Sequence, residues 1–494
     1  MKHLPGLLLG LAAFILLATA NGAGYRYGVS DQAAYVPLVI RAGNPAAFPR
    51  DAALLDSEGR LVVLDDALGW LGHVAGTSTE SLFFGAYLAS LVLVFSGVVS
   101  MGSALYPSPW LTAGLAALIT LRHHIPRTSV NSLEPYFHPR VMALGLGMLA
   151  IGAFLRGRAW RATALVAVAA LCHVTTALWF TILIGVGLAT LDPRWRRAVG
   201  VGTLAVLAVV AWAATVGPLH AVSLTMDDVW IEAFGDRDFL FANEWPLWTW
   251  IANLGLLGAL WWADAVRTRR GVATPRDRAL AWGATALVAT FLITLPAVAA
   301  HLAIATQFQV SRVFWLVDLL VGVYGIAALG ERLTRRGMTV LAGVILLGSL
   351  ARGGYVIGHE HAERALFQIS LPSTPWLDAM RWIGRQRLDV YVLADPGHAF
   401  KYGASVRVAA GRDVLLEDDK DAAIALYSRE TAARVLERRR ALVSFDSLTA
   451  DAARALAARY GVNLLVTEAP LDLPQVYRNE QFRIYELKPA GPAS

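Results

Sequence analysis

Asp31 is the first carboxylate of the chain, in Tyr25-Arg26-Tyr27-Gly28-Val29-Ser30-Asp31-Gln32-Ala33-Ala34-Tyr35, a few residues beyond the first apolar segment. A carboxylate held where a membrane meets water can accept a proton or align a polar substrate, and the bilayer can supply an apolar co-substrate. The alternative is a solvated acid in an ordinary loop. Other ionisable residues stand beside or inside apolar runs: Glu134, His138 and Arg140 in Glu134-Pro135-Tyr136-Phe137-His138-Pro139-Arg140, His173 in Cys172-His173-Val174-Thr175-Thr176, Arg312 in Gln309-Val310-Ser311-Arg312, and Asp318. Ionisable groups at membrane depth are costly, so each is a functional candidate or is paired structurally. Cys172 stands alone, which excludes a disulfide framework and a thiolate metal cluster. No His/Cys/Glu cluster has the spacing zinc requires, so no metal site is assigned. No GxGxxG or P-loop pattern occurs, so no nucleotide is assigned either.

The elements that must position these residues follow from composition. The chain has 494 residues, 56% hydrophobic and 16% charged, with a mean hydropathy of +0.50. Soluble domains carry about 25% charge, so this is an integral membrane protein. Lysine occurs only at positions 2, 401, 420 and 488, and the net charge of +6 is carried by arginine. Arginines in short loops orient helices, whereas a nucleic-acid surface needs them clustered on a soluble face; no nucleic-acid partner is expected.

The apolar run 4–20, after Lys2, is similar to a signal peptide but reads as an uncleaved first helix with its N-terminus cytoplasmic. Residues 21–80 form an outer loop in which acids outnumber bases, with short interfacial helices at 35–40 and 61–74. Spans are expected at 82–101, 110–121, 138–155, 199–217, 247–263, 279–300, 313–329 and 338–354. The apolar segment 162–190 has arginine at both flanks and a polar centre at His173. It reads as a re-entrant pair of half-helices entering from the cytoplasm, the alternative being one long tilted helix. Basic loops then alternate with acidic ones, among them 218–245 with Asp227, Asp228, Glu232, Asp236, Asp238 and Glu244. Trp245, Trp248 and Trp250 read as an interfacial belt. From 366 the composition is that of a soluble domain: strands at 389–394, 441–444, 463–467 and 482–487 alternate with helices at 376–385, 419–438 and 448–459. The expected fold is a polytopic α-helical membrane protein with about 9–10 spans plus the re-entrant pair, followed by a C-terminal α/β extramembrane domain. Its division is 1–355 for the membrane domain and 366–494 for the extracytoplasmic domain.

This layout resembles the GT-C superfamily of membrane glycosyltransferases. The likeness rests on Asp31-Gln32-Ala33-Ala34-Tyr35 after the first helix, the His173-Val174-Thr175 break, the alternating topology, and an outer α/β domain ending in Val476-Tyr477-Arg478-Asn479 and Phe482-Arg483-Ile484-Tyr485. More narrowly, Glu134 to Arg140, the His173 break and Gln309 to Arg312 resemble uncharacterised bacterial polytopic proteins of this architecture. The resemblance implies a multi-pass protein of the bacterial cytoplasmic (inner) membrane, transferring sugar from a polyprenyl-phosphate-linked donor on the outer face, with membrane lipids as its other partners. The superfamily often carries two adjacent acids in its first outer loop; here the second position is Gln32, a departure that bears on both metal binding and catalysis.

Under that resemblance Asp31 is the catalytic general base, deprotonating an acceptor hydroxyl for attack on an anomeric carbon. Substrate binding falls to Glu134 (sugar hydroxyls or a cation), His138 and Arg140 (a lipid phosphate), Arg312 (a donor phosphate) and His173. Each has a plain alternative: a helix-start acid for Glu134, interfacial anchors for His138 and Arg140, a satisfied buried imidazole for His173. No cofactor is indicated, although a divalent metal is compatible with the superfamily. Two other function classes stay open: a transporter with a midplane site at Asp318 and His173, and a non-catalytic scaffold of the same architecture. Sugar, acceptor and oligomeric state are not legible.

Overall fold

The computed structural model describes residues 4–59, 63–215, 225–235, 237 and 239–487. Lys2, Asp236, Asp238, Lys488 and positions 216–217 of one expected span lie outside the described residues. The chain forms two compact units: Met1–Tyr25 with Gly85–Thr225 and Arg237–Phe367, and Arg26–Phe84 with Met226–Asp236 and Gln368–Ser494. They are not contiguous in sequence. Residues 26–84, grouped with the membrane domain by composition, pack with the C-terminal domain.

The first unit is a bundle of apolar helices. Six helical segments are long and apolar enough to cross a membrane: Leu4–Asn21, Thr79–Leu105, Val174–Leu191, Pro275–Ala299, Ala303–Gly330 and Arg335–Glu360; shorter apolar helices cover Pro109–Thr120, Pro139–Leu155 and Ala159–Cys172. Two more helices, Pro193–Thr215 and Leu247–Arg269, occupy the remaining expected spans. The protein is thus a polytopic helical membrane protein. Local sequence sets the helix starts. Ser108 Oγ accepts from Trp110 N with Pro109 at the first helical position, and Thr274 and Asp277 form a reciprocal capping box ahead of Pro275–Ala299.

Asp277 does more than cap. It also meets Arg267 at 3.1 Å and accepts from the Tyr324 hydroxyl at 3.1 Å, while Arg267 Nε donates to Glu331 at 2.9 Å. These buried charges tie three helices together, as charges inside a bundle must be paired. Close approach matters as well: a Cβ on Gly147 would come within 2.1 Å of the Phe180 ring, so helices Pro139–Leu155 and Val174–Leu191 pack together only because that position has no side chain.

The break at His173 is present. Its backbone is extended (φ −158°, ψ 104°) and it ends Ala159–Cys172 and begins Val174–Leu191. The two pieces are unequal, at 14 and 18 residues, and the second is itself long enough to span. Trp245 differs from its expected belt position: it is buried against Trp250, Phe291 and Phe314 at centroid distances of 5.7, 5.6 and 6.5 Å, and Trp248 is the exposed member.

The second unit holds a five-stranded sheet in the order Asp413–Val414, Tyr391–Leu393, Leu464–Thr467, Arg483–Glu486, Gln475–Arg478. The first three strands are parallel and the last two antiparallel, with Val392 opposite Leu464 and Leu465 opposite Tyr485. Trp376, Met380, Ile383, Val392, Val466 and Ile484 form its core. The strand expected at 441–444 is absent because helix Arg429–Ala441 runs into it and Val443 is left exposed. Of the two interfacial helices expected in the outer loop, Gln32–Gly43 buries Tyr35, Val36, Leu38 and Val39, whereas Leu64–Ala75 keeps Trp70, Leu71 and Val74 exposed.

A buried ionic network fastens residues 26–84 to this domain. Arg407 Nε donates to Asp51 at 2.8 Å, and its two terminal nitrogens grip Asp421 at 2.5 and 3.0 Å. Arg434 and the Val414 amide complete the shell of Asp51. Burial pushes the Asp51 carboxyl upward, but Arg407 and Arg434 outweigh it and hold it below the usual carboxylate range. Asp413, which accepts from the Arg50 and Asp51 amides, is pushed up to about 6 by burial and by the charge of Asp51.

Two outcomes follow for purified protein followed by thermal unfolding. Arg407→Met strands two buried carboxylates and should cost about 3–5 kcal/mol; an unchanged midpoint would contradict the network. Because Asp413 binds its proton more tightly folded than unfolded, its contribution to stability is present at low pH and is lost as pH rises through about 6. Asp413→Asn should therefore gain on the wild type between pH 4.5 and 7, and a pH-independent difference would refute the assignment.

Candidate functional site

In the second unit, Asp31 precedes helix Gln32–Gly43 and makes no side-chain cap bond to it. The approach to Asp31 is strained: Ser30 has φ +54° and Gly28 φ +78°. A Cβ on Gly28 would lie 2.9 Å from Val408 and 3.1 Å from Leu371, so glycine is required there. Gln32 is fully buried, and its Oε1 accepts from Gly28 N at 2.8 Å, pinning this turn. The residue in place of a second acid is therefore a structural brace. Asp31 Oδ1 accepts from Lys420 Nζ at 3.0 Å, and the same ammonium lies 2.9 Å from Asp419. Non-glycine residues at positive φ persist where surrounding structure holds them, often at functional sites.

In the first unit the polar segment after Pro109–Thr120 forms a small hairpin, His124–Ile125 against Val130–Asn131. Arg127 and Ser129 in its turn have φ +49° and +55°. Asn253 donates to Pro126 O and Trp315 Nε1 to Ser132 O, which fastens the hairpin to two helices. Beside it lies a cavity of about 410 Å³ lined by His124, Pro126, Arg127, Ser129, Phe239 and Trp248. Its lining mixes aromatic faces with hydrogen-bonding groups.

The hairpin leads into Glu134, which is buried and ion-paired to buried Arg140. Asn131 donates to it at 3.2 Å, and Arg122 stands 3.9 Å away. Two guanidinium groups thus face one carboxylate. The Nε of Arg122 is buried and has no hydrogen-bond partner among the described residues. His138 caps Pro139–Leu155, its Nδ1 accepting from Arg140 N at 3.2 Å; His173 caps Val174–Leu191 in the same way through Thr176 N, also at 3.2 Å. Both imidazoles use Nδ1 as acceptor, so in the neutral form Nε2 of each carries the proton and can donate. The rings lie 6.1 Å apart. Arg140 and Arg312 are both within Coulombic range of His173. Arg312 follows Gln309, at φ +50°, and Ser311, whose hydroxyl donates to Phe239 O.

The structure thus brings Glu134, His138, Arg140, His173 and Arg312 into one neighbourhood of the first unit, and places Asp31 in the second. The helix-start alternatives for His138 and His173 describe real capping bonds, and the same bonds set their tautomer. Sequence reasoning passed over Arg122, Asn131 and Lys420. Arg122 carried a usable signal, an arginine on the expected outer side, the criterion that singled out Arg312. Asp318 pairs with His123 at 2.9 Å, a hydrogen bond that raises the imidazole pKa.

No protein-family model matches the chain, and no curated protein does. Solved structures do. The arabinofuranosyltransferase AftD from Mycobacteria superposes with a TM-score of 0.52 at 14% identity, over 98% of this chain and 40% of that one. The oligosaccharyltransferase AglB from Archaeoglobus fulgidus, in complex with an inhibitory peptide and a dolichol-phosphate, gives 0.49 at 12% identity over 95% and 69%; its apo form gives 0.48 at 12% over 94% and 69%. The chain shares its fold with AftD, and spans two-fifths of the length of that protein.

Glu134→Ala would leave Arg140 as an uncompensated buried charge, so it should destabilise the bundle by about 3–5 kcal/mol. Detergent-solubilised protein monitored by tryptophan fluorescence on heating reads this directly, and a midpoint within a degree of wild type would show that the pair is not buried.

Proposed function

We propose that the chain is a glycosyltransferase that takes a sugar from a polyprenyl-phosphate-linked donor at the outer face of a bacterial cytoplasmic membrane. The observation that carries the reading is the buried Arg122 Nε, without a partner among the described residues, beside a Glu134 carboxylate already engaged by Arg140. A buried donor left unsatisfied costs about 1–3 kcal/mol, so the arrangement favours an anionic oxygen ligand. Phosphate suits guanidinium groups because the planar fork matches its oxygens. Nε2–H of His138 and His173 and the charge of Arg312 add to the same preference.

The chemistry is a substitution at the anomeric carbon. Asp31 takes the proton of the acceptor hydroxyl as that oxygen bonds to the carbon. The bond from carbon to the donor phosphate breaks, and the electron pair leaves with the lipid phosphate. In the first unit Glu134 fixes Arg140 and stands beside Arg122, guanidinium groups suited to a phosphate. N-terminus inside and C-terminal domain outside is the orientation this reading adopts, from the distribution of arginine between loops.

Asp31→Asn should lower transfer by about 10²–10⁴-fold, the range general-base assistance supplies, with donor binding nearly intact. Arg122→Ala and Arg312→Ala should instead weaken donor binding by about 2–5 kcal/mol, with Arg312→Lys recovering only part, since lysine is a point charge. Sugar release from a polyprenyl-phosphate-sugar in liposomes is the assay. Full activity in Asp31→Asn would remove Asp31 from the mechanism.

A further inference from the structure

The surroundings of Asp31 bear on whether a divalent cation works there. Mg²⁺ demands six oxygens in near-octahedral geometry, and Ca²⁺ takes six to eight. Gln32, adjacent to Asp31, is buried with its amide oxygen committed to Gly28 N. Among the described residues no group of three His, Cys, Asp or Glu side chains is placed to hold a metal ion. A cation is nonetheless present at Asp31, since the Lys420 ammonium sits 3.0 Å from Asp31 Oδ1 and 2.9 Å from Asp419 Oδ2. Its side chain is 12% exposed. A divalent ion on Asp31 would face that ammonium at a few ångströms, where like charges repel strongly in a partly desolvated site.

Lys420 is also well held. Helix Asp418–Ile424 carries it one position before Asp421, and Asp421 is gripped bidentately by Arg407. Burial works against the charge of Lys420, but Asp31 and Asp419 outweigh it and hold its pKa above the usual lysine range. The residue type fits the position. Nearly every other base in the chain is arginine, whose planar fork binds two oxygens of one partner, whereas a compact ammonium can sit between two carboxylates.

Taking the glycosyltransferase reading as its basis, we propose that Lys420 is the resident cation of the Asp31 site, a positioning residue whose tethered ammonium orients the Asp31 carboxylate in place of a divalent metal, so that transfer by this chain is metal-independent. The transferred groups are unchanged: Lys420 neither gives nor takes a proton in the step.

Two measurements on the full chain in detergent test this. Mn²⁺ binding, read by electron paramagnetic resonance, should show in the wild type no bound ion that Asp31→Asn removes. The transfer rate should be the same in EDTA as in added Mn²⁺. Lys420→Ala should slow transfer about 10-fold or more, a part of the roughly 10²–10⁴-fold that base assistance supplies, while Lys420→Arg restores a share of the rate. With the ammonium gone, Asp31 and Asp419 face each other, and Lys420→Ala alone should gain rate on adding Mn²⁺. One Mn²⁺ bound by the wild type and lost in Asp31→Asn overturns the proposal, as does an undiminished rate in Lys420→Ala. The binding measurement needs only wild type and Asp31→Asn, so it decides even if Lys420→Ala fails to fold. Absence of transfer from every lipid-linked donor would count against the glycosyltransferase reading and leave the metal result standing.

Discussion

Arg407 holds the second unit in its working form. One guanidinium joins Asp51, from the segment that follows the first helix, to Asp421, from the C-terminal domain 370 positions later. The price in desolvation is large for three charges buried below 3% exposure, and such groups are tolerated only when every lone pair and proton is met. That demand fixes geometry. With Asp421 gripped on two oxygens, the helix carrying Lys420 has one orientation, and Lys420 in turn meets Asp31. The strained Gly28–Ser30 turn is held on its other side by Gln32. A polar pair that looks incidental at the surface is thus set by charges in the core.

The first unit works under a different constraint. Within lipid there is no water to satisfy a stray donor, so irregular backbone and charge must be covered by protein. His138 and His173 each satisfy a helix N-terminus with Nδ1 and so present Nε2–H. Glu134 gathers Arg140, Asn131 and Arg122. Among the described residues the Arg122 Nε is a buried donor without a hydrogen-bond partner, and it gives the phosphate reading its weight.

Much of this was legible in the chain. Apolar runs set the helices, and the arginine-flanked polar centre at 172–176 marked the break at His173. Glu134, His138, Arg140 and Arg312 stood out because charge near an apolar run needs a reason. What stayed hidden was pairing across long separations. Lys420 and Asp31 are 389 positions apart and Arg407 and Asp51 are 356 apart, and no periodicity encodes such a contact. Gln32 read as a lost acid because its burial and its bond to Gly28 depend on the turn. The two-residue strand Asp413–Val414 was too short to show alternation, while the run at 441–444 continues from a helix, with Leu442 buried and Val443 exposed. Trp245 was mistaken for a belt residue because its partners Phe291 and Phe314 come from other helices.

In the proposed reaction the sugar arrives on a lipid phosphate. The direct measurement is donor discrimination by the purified chain in proteoliposomes, comparing a polyprenyl-phosphate-linked sugar with the matching nucleotide sugar, each radiolabelled in the sugar. Transfer from the lipid-linked donor and none from the nucleotide sugar is the expected result; transfer that requires the nucleotide sugar, with the lipid-linked donor left intact, would rule out a lipid-phosphate donor.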